Sequence, residues 1–233
     1  MYKKNFIEDF TNFDYVMKLL KSNPQFNNKC HQVALRQGQS IQTKSIGNFA
    51  YLVQEGYTEL TKEFKGEQVF LVLAKRGEFP ILIGRTDWQT DSFHIIALTD
   101  CILWEIEFDY LKQILLDEDP RNFILLNYVM KVGINSYFQL SMSKLSSQER
   151  VYYMLRFIGD KLGVKNRDNE IEMPPFLTYE KLGEFASVSL SHVSNLMKEL
   201  QQKNIIVIRK RNWVLKDPEA IPIPVEFQFN LWV

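Results

Sequence analysis

The sequence predicts an α+β protein in which a domain of short strands precedes a long helix and a winged helix-turn-helix. Three observations support this prediction. Glycines recur about every ten residues through a strand-rich region at 28–108, a nearly uncharged helical segment covers 122–145, and two helical segments with a tight turn precede a basic hairpin within 178–216. Short strands with regularly spaced turn signals are typical of a sandwich, a jelly roll or a barrel.

The composition is that of an ordinary globular protein. The chain has 233 residues and 45% hydrophobic side chains, enough for one large or two modest domains. The 28 basic residues balance 28 acidic ones, so any attraction to nucleic acid must come from a local patch. Cys30 and Cys101 are the only cysteines, which favours a reducing cytoplasm over a disulfide framework. We expect neither a signal peptide nor a membrane span, because no long apolar run occurs.

An amphipathic helix is predicted at residues 5–22, with Asn23 and Pro24 ending it. Its apolar face is formed by Phe6, Phe10, Phe13, Met17 and Leu20. The β-domain that follows contains the runs FAYLVQ, YTELTKEF, QVFLVLA, FHIIALTD and CILWEIE. The segments FKGE at 64–67 and KRGE at 75–78 are predicted hairpin turns, with glycine supplying a positive φ.

The segment 122–145 is predicted to be a helix with two apolar faces and a start near Asp119–Pro120. One stripe contains Phe123, Leu126, Met130, Gly133, Tyr137 and Leu140; the other contains Ile124, Tyr128, Asn135, Phe138, Met142 and Leu145. Both faces must be covered. The helix is therefore either a central core helix, or one face covers the β-domain and the other meets a second subunit. A further helix is predicted after Ser146–Ser147, and 163–175 is read as a polar loop.

Residues 178–208 have the pattern of two helices joined at Ser187–Val188, with Thr178 and Ser189 as predicted caps. The second helix has an inner stripe of Val193, Leu196, Met197 and Leu200, and an outward side of Leu190, Ser191, Ser194, Asn195 and Lys198. An αα-hairpin in a core would share most of this pattern.

The segment that follows favours a winged helix. It reads as strands Ile205–Ile208 and Trp213–Leu215 around a turn of Arg209, Lys210, Arg211 and Asn212. Between Lys203 and Lys216 there are five basic residues and no acid. A solvated loop tip is the plain alternative, but a basic hairpin after a helix-turn-helix is a wing whose tip reaches phosphates.

In this order of elements the chain resembles the Crp/Fnr family of transcription regulators over nearly its whole length. LTYEKLGEFASVSLSHVSNLMKELQQKNII, from residue 177, is similar to the family's DNA-binding motif, with Gly183 at the conserved glycine position. YLVQEGYTEL at 51–60 resembles the family's strand–Gly–strand signature, and ALTDCILWEI at 97–106 resembles the strand leading out of its β-roll.

The resemblance implies an N-terminal double-stranded β-helix (jelly-roll) effector domain at 1–118, a dimerisation helix at 119–145, a winged helix-turn-helix at 146–218 and an extended tail at 219–233. It implies a homodimer with recognition helices in successive major-groove turns of a near-palindromic site, and RNA polymerase as a candidate partner. The expected dimer contacts are Phe123, Ile124, Leu126, Tyr128, Met130, Tyr137, Phe138 and Met142.

The recognition helix departs from the family pattern. Leu190, Ser191 and Asn195 stand where typical members present Arg, Glu and Arg, so we expect a preference for A·T-rich half-sites. Phosphate contacts are assigned to Lys198, Arg209, Lys210 and Arg211, with Thr178, Tyr179 and the amides at Ser189 as positioning groups and Ser194 on the same face.

The cyclic-nucleotide loop departs as well. Ile81–Leu82 stand where the family's phosphate-binding Gly-Glu would be, and Asp91–Ser92 where its Arg-Ser would be. An acid in place of the arginine repels a phosphate, and Arg85 is a poor substitute because the loop glycine is also missing. We therefore expect no cyclic-nucleotide binding. A different small-molecule effector, near Trp88, Trp104 and the long helix, stays open.

No other cofactor is expected. Two distant cysteines cannot hold an iron–sulfur cluster, which needs four ligands. His31 and His94 leave haem open, although a lone histidine is more often structural. With His192 they are scattered outside any ligand motif, so no metal site and no enzymatic activity are expected. The alternatives are a jelly-roll (cupin-like) enzyme and a protein-interaction module with a winged helix.

The C-terminal tail has the alternating pattern of a half-buried strand. Its apolar positions are Val225, Phe227, Phe229, Leu231 and Val233. A frayed terminus is the plain alternative. Because five apolar residues rarely stay exposed, we expect the tail to dock as an extended segment on its own subunit or on the partner.

Overall fold

The computed structural model describes residues 4–42, 48–82, 93–209 and 212–222. The chain divides into two compact units, residues 1–136 and 137–233, with the boundary inside one long helix. The elements of the first unit, up to that helix, are α1 (Lys4–Asp9), α2 (Phe13–Ser22), α3 (Phe26–Lys29), β1 (Cys30–Leu35), β2 (Ser40–Gln42), β3 (Phe49–Glu55), β4 (Thr58–Phe64), β5 (Glu67–Ala74), β6 (Phe93–Ala97), β7 (Cys101–Glu107), α4 (Phe108–Glu118) and α5 (Phe123–Met142).

Two antiparallel sheets form the β-domain. Their strand orders are β1-β7-β3 and β2-β6-β4-β5. The burial of β7 alternates along its first residues, as expected for a strand: Cys101 and Leu103 are buried, whereas Ile102 and Trp104 are half-buried. One apolar cluster joins the sheets through Val53, Leu60, Ile95 and Leu103, and a second packs α2 and α4 against β3 and β7. The strands of this unit, from Cys30 to Glu107, lie within the region predicted at 28–108.

The two predicted glycine turns differ in what they connect. Lys65 and Gly66 have φ of 53° and 82°, the two positive values that a tight hairpin between β4 and β5 requires. Gly77, with φ 82°, also lies in a turn. Its amide donates to the Val53 carbonyl over 2.9 Å, and the Val53 amide donates to the Glu78 carbonyl over 3.0 Å. The chain therefore returns along β3 after this turn, and the prediction of a hairpin at 75–78 is wrong.

The single helix predicted at 5–22 is two helices. Asn12 is the N-cap of α2, because its side-chain oxygen accepts a hydrogen bond from the Tyr15 amide over 2.9 Å. An asparagine that bonds a nearby amide competes with a continuous helix. The buried positions of α2 are Val16, Met17, Leu19 and Leu20.

The long helix α5 is confirmed, but its start differs from the prediction. The Asp119 carboxylate accepts hydrogen bonds from the Phe123 amide over 3.1 Å and from the Ile124 amide over 2.9 Å. Asp119 thus caps α5 from four residues away, and Pro120 lies before the helix, not in its first turn. Although α5 is long, neither it nor any other helix in the described part of the chain is long and apolar enough to cross a membrane.

The second unit contains a helix-turn-helix and a four-stranded sheet. Its elements after α5 are α6 (Ser147–Leu162), β8 (Val164–Lys165), β9 (Ile171–Glu172), α7 (Tyr179–Ala186), α8 (Leu190–Gln202), β10 (Ile206–Arg209), β11 (Asn212–Leu215) and a 3-10 helix (Pro218–Ala220). The strand order is β10-β11-β9-β8. The segment expected to be a polar loop therefore supplies two short strands. The alternation of Glu170, Ile171, Glu172 and Met173 is the signal for β9.

Candidate DNA-binding surface

The turn between α7 and α8 requires close backbone contact. Thr178 caps α7, because its hydroxyl accepts a hydrogen bond from the Lys181 amide over 3.2 Å. Ser187 has a left-handed φ of 52°, and the Val188 amide donates to the Gly183 carbonyl over 2.9 Å. A Cβ at Gly183 would lie 2.8 Å from the Val188 carbonyl oxygen. Only glycine allows this approach without a shift of the turn.

Helix α8 separates its side chains as the sequence predicts. Val193, Leu196, Met197 and Leu200 are buried. On the other side, Leu190 is 48% exposed, Ser191, Asn195 and Lys198 are exposed, and Ser194 is half-buried. The exposed side begins at the helix N-terminus, so its small and polar side chains can enter a groove. Their contacts with DNA remain a prediction.

Two of the predicted positioning groups make other contacts. Ser189 occupies the N-cap position of α8, but its side chain makes no capping bond, and its Oγ lies 3.3 Å from the Ser191 Oγ. The prediction of a side-chain cap is wrong. The Tyr179 ring packs 5.2 Å from the Trp213 ring, and its hydroxyl accepts a hydrogen bond from Gln201 over 3.3 Å. Tyr179 therefore fixes α7 against the wing sheet.

Arg150 of α6 holds the turn in place, a role that the sequence reading missed. Its Nε donates to the Ala186 carbonyl over 2.9 Å, and one terminal nitrogen donates to the Ser187 carbonyl over 3.1 Å. The other terminal nitrogen lies 3.4 Å from the Leu145 carbonyl. The guanidinium thus satisfies carbonyls at the end of α7, which no helical amide can reach. A basic residue in an otherwise amphipathic helix gives no sign of such a partner.

The two strands of the wing extend one residue further toward the turn than predicted. Arg209 is the last residue of β10 and pairs with Asn212, the first residue of β11. Lys210 and Arg211, which stand between these strands in the sequence, lie outside the described residues. Arg209 is therefore a strand residue and not a tip residue, which corrects its assignment as one of three tip cations.

Arg209 also has an intramolecular partner. Its two terminal nitrogens donate to the two carboxylate oxygens of Glu170 over 2.5 Å and 3.1 Å. The Asn166 side-chain amide donates to Glu170 as well, over 2.8 Å. These hydrogen bonds hold the pKa of the Glu170 carboxyl below its usual value, and the same pair raises the pKa of Arg209. Both groups remain charged near neutral pH.

Helix α5 has one buried and one exposed apolar side. Five of the eight predicted dimer residues pack within their own unit: Phe123, Ile124, Phe138 and Met142 are buried, and the Tyr128 hydroxyl accepts a hydrogen bond from the Leu82 amide over 3.0 Å. We therefore assign these five to the chain's own packing. Leu126, Met130 and Tyr137 are exposed, together with Leu125, Val129, Val132 and Leu140, and we call these seven residues the outer face of α5.

The cyclic-nucleotide loop is described only in part. Ile81 and Leu82 are buried, and the Leu82 amide is bound to Tyr128. Asp91, Ser92, Arg85 and Trp88 lie outside the described residues. Trp104 donates its Nε1 hydrogen to Gln54 over 2.7 Å.

Within the described ranges, no group of three or more His, Cys, Asp or Glu side chains could hold a metal ion. The histidines do not share an element: His31 is in β1, His94 in β6 and His192 in α8. Of the predicted tail, the first residues are anchored: Glu219 pairs with Arg156 over 2.6 Å, and Ile221 is buried. Its alternating stretch, 225–233, lies outside the described residues.

Comparison with known proteins agrees with this architecture. Residues 149–221 match the Crp-like helix-turn-helix domain. The HTH-type transcriptional regulator ArcR of Staphylococcus epidermidis is 25% identical over 122 residues, which are 51% of this chain and 52% of ArcR. The chain thus spans about half the length of the curated relatives it matches.

Three solved structures share the fold. A cyclic nucleotide-binding domain containing protein from Listeria monocytogenes EGD-e has a TM-score of 0.73 and 20% identity, covering 88% of this chain and 97% of that one. A CooA mutant from Carboxydothermus hydrogenoformans has a TM-score of 0.65 and 16% identity, covering 95% of each chain. A CRP/FNR family transcriptional regulator from Thermus thermophilus has a TM-score of 0.60 and 15% identity, covering 82% and 96%.

A β-domain, a long helix and a winged helix-turn-helix follow one another in this chain, and its fold is similar to that of these solved structures. With a Crp-like helix-turn-helix domain at 149–221, the chain is similar to transcription regulators of the CRP/FNR type.

Proposed function

We propose that this chain is a homodimeric transcription regulator that binds a near-palindromic DNA site in the cytoplasm, without cyclic AMP and with RNA polymerase as a candidate partner. One observation carries the proposal: α8 buries one side completely and exposes Leu190, Ser191, Asn195 and Lys198 on the other, directly before a basic wing. A helix presented in this way fits the major groove, which admits an α-helix.

The exposed side chains support an A·T-rich site. Leu190 can contact a thymine methyl group, and Asn195 can pair with adenine N6 and N7. Ser191 can donate or accept. Each good base contact is worth about 1–3 kcal/mol of discrimination. Few charged readers stand on this face, so phosphate contacts from Lys198 and the wing tip supply most of the affinity.

The outer face of α5 supports a dimer. Single exposed apolar residues are normal, but Val129 is 56% exposed and Leu140 is 66% exposed on a face that continues for about four turns. Two copies of α5 that pair along this face bury it symmetrically. A two-fold dimer then presents two α8 helices to two half-sites, which is why we expect a near-palindrome.

Independence from cyclic AMP is supported by the loop sequence and by one contact. The Leu82 amide, where the family's loop presents amides to a phosphate, is already bound to the Tyr128 hydroxyl. Ile81 and Leu82 both turn apolar side chains into the core. A charged phosphate buried there would lack donors, which is costly.

In-vitro selection of DNA sites with the full chain tests the proposal, followed by binding measurements at about 0.1 M salt. We expect enrichment of an A·T-rich palindrome. Asn195→Glu should abolish binding, because it places a negative charge in the groove and leaves the buried side of α8 intact. Gln202→Glu, an equal charge change at the far end of α8, is the matched control and should bind. No enriched site, or normal binding by Asn195→Glu, would refute the proposal and favour a protein-interaction module.

A further inference from the structure

Two carboxylates, Glu172 in β9 and Glu170 immediately before it, bind the ends of β10 and β11. Glu170 binds Arg209, and Glu172 accepts a hydrogen bond from the Asn212 side-chain amide over 2.6 Å. Arg209 and Asn212 face each other across the hairpin. Each acid therefore binds one residue of the Arg209–Asn212 pair. Only Glu170 binds a cation.

The two members of the Glu170–Arg209 pair differ in exposure. Glu170 is 7% exposed, whereas more than half of the Arg209 side chain is accessible. A buried carboxylate needs its donors, because an unpaired buried charge is strongly unfavourable. Glu170 has a bidentate guanidinium and the Asn166 amide. It will therefore retain Arg209 when the wing is free in solution.

The pairing also decides what a DNA phosphate encounters. A phosphate that approaches the exposed side of Arg209 is attracted by the guanidinium and repelled by the carboxylate that is bound to it. At the effective dielectric of a protein surface, these two energies are similar at distances beyond the pair itself. Arg209 then contributes little net attraction and displaces no counterion from the DNA.

We propose that Glu170 competes intramolecularly with DNA phosphates for Arg209 and thereby limits the affinity of the wing for the DNA backbone. This inference rests on the proposed function, because it concerns the same DNA-binding surface. Glu170 contacts no DNA itself. It lowers the affinity for DNA of every sequence equally. Base contacts from α8 therefore account for a larger share of the remaining affinity.

The test compares Glu170→Gln with Glu172→Gln in the full chain, on the selected site and on an unrelated duplex, across a series of salt concentrations. Glutamine keeps the size and one acceptor oxygen of each acid. Glu170→Gln removes the negative charge paired with Arg209, so DNA affinity should rise about five- to tenfold at about 0.1 M salt on both duplexes. The salt slope, which is the fall in the logarithm of the binding constant with the logarithm of the salt concentration, should become steeper by about 0.9. Glu172→Gln removes an equal charge but frees no cation, so its slope should equal that of the wild type.

A double variant, Glu170→Gln with Arg209→Ala, identifies the cation that is released. Its salt slope should return to the wild-type value. Thermal unfolding of each variant reports whether the wing sheet is intact. The inference would be overturned if the wild type binds DNA but Glu170→Gln binds more weakly or has the same salt slope. Either result would show that the pair only supports the wing. Absence of binding by the wild type itself would overturn the proposed function.

Discussion

Arg150 Nε donates a hydrogen bond to the Ala186 carbonyl over 2.9 Å and so connects the first turn of α6 to the end of α7. The same guanidinium bonds the Ser187 carbonyl, in the residue whose left-handed φ turns the chain toward α8. The orientation of α8 therefore depends on a side chain of α6, outside the two helices and the turn that it orients.

Arg150→Gln should destabilise the second unit and weaken DNA binding. Glutamine is too short to reach Leu145, Ala186 and Ser187 together, and hydrogen bonds from a charged donor are worth about 1.5–3 kcal/mol. Thermal and urea unfolding measure the loss. Lys144→Gln, an exposed neighbour that loses the same charge, is the control and should be neutral. Equal stability of Arg150→Gln and the wild type would refute the role.

Gly183→Ala should cost about 1–3 kcal/mol, the usual range for inserting a methyl group into a packed region. The added Cβ would lie 2.8 Å from the Val188 carbonyl oxygen, which is backbone and cannot rotate away. We expect a lower unfolding midpoint and weaker DNA binding. Gln202→Ala, at an exposed position of α8, controls for the helix propensity of alanine. A midpoint unchanged by Gly183→Ala would contradict the crowding.

Val129→Glu should convert a dimer to monomers, because it places a charge in the centre of the outer face of α5. Sedimentation velocity gives the mass directly. Leu116→Glu is the matched control: Leu116 is 65% exposed, but it lies on α4. If both variants sediment as the wild type does, the outer face is not the dimer interface.

Asn195→Ala and Arg211→Ala should change different properties of DNA binding. Asn195→Ala removes a base contact and should relax the preference at one base pair, at a cost of about 1–3 kcal/mol on the best site. Arg211→Ala removes a phosphate contact and should weaken binding to every sequence, with a salt slope smaller by about one. Titrations on matched and single-mismatch duplexes distinguish the two. The reverse pattern would refute the assignment of these residues.

Calorimetry with cyclic AMP and with cyclic GMP should show no micromolar binding. The Leu82 amide is bound to Tyr128, and the loop sequence lacks the phosphate-binding arginine. DNA affinity on the selected site should likewise be unchanged by either nucleotide. Micromolar heats of binding, with or without an effect on DNA, would overturn this expectation.

The parts of the fold that sequence patterns predicted are those in which neighbouring residues decide the structure. Strand alternation, the two stripes of α5, the cap at Thr178 and the buried stripe of α8 all depend on spacing within one element. Gly183 could be singled out for the same reason, since the Val188 carbonyl that it approaches is close to it in the chain.

The contacts that the sequence did not predict join residues that are distant in the chain. Arg150 bonds the carbonyls of Ala186 and Ser187, which lie 36 and 37 residues later. The acid that neutralises Arg209 is 39 residues earlier in the chain. A count of basic residues between Lys203 and Lys216 could therefore suggest a wholly cationic wing. Spacing in the sequence separated the two faces of α5, but which face is buried depends on residues that are distant in the chain.

Asp119 has a consequence for the direction in which α5 presents its side chains. Each of its carboxylate oxygens accepts a hydrogen bond from one of two consecutive amides, so the helix must begin at Phe123. Successive residues of an α-helix are rotated by about 100° around its axis. A start displaced by one residue would rotate the outer face by about that angle. Asp119 thus sets the rotational phase of α5, and with it the side from which a second copy can approach.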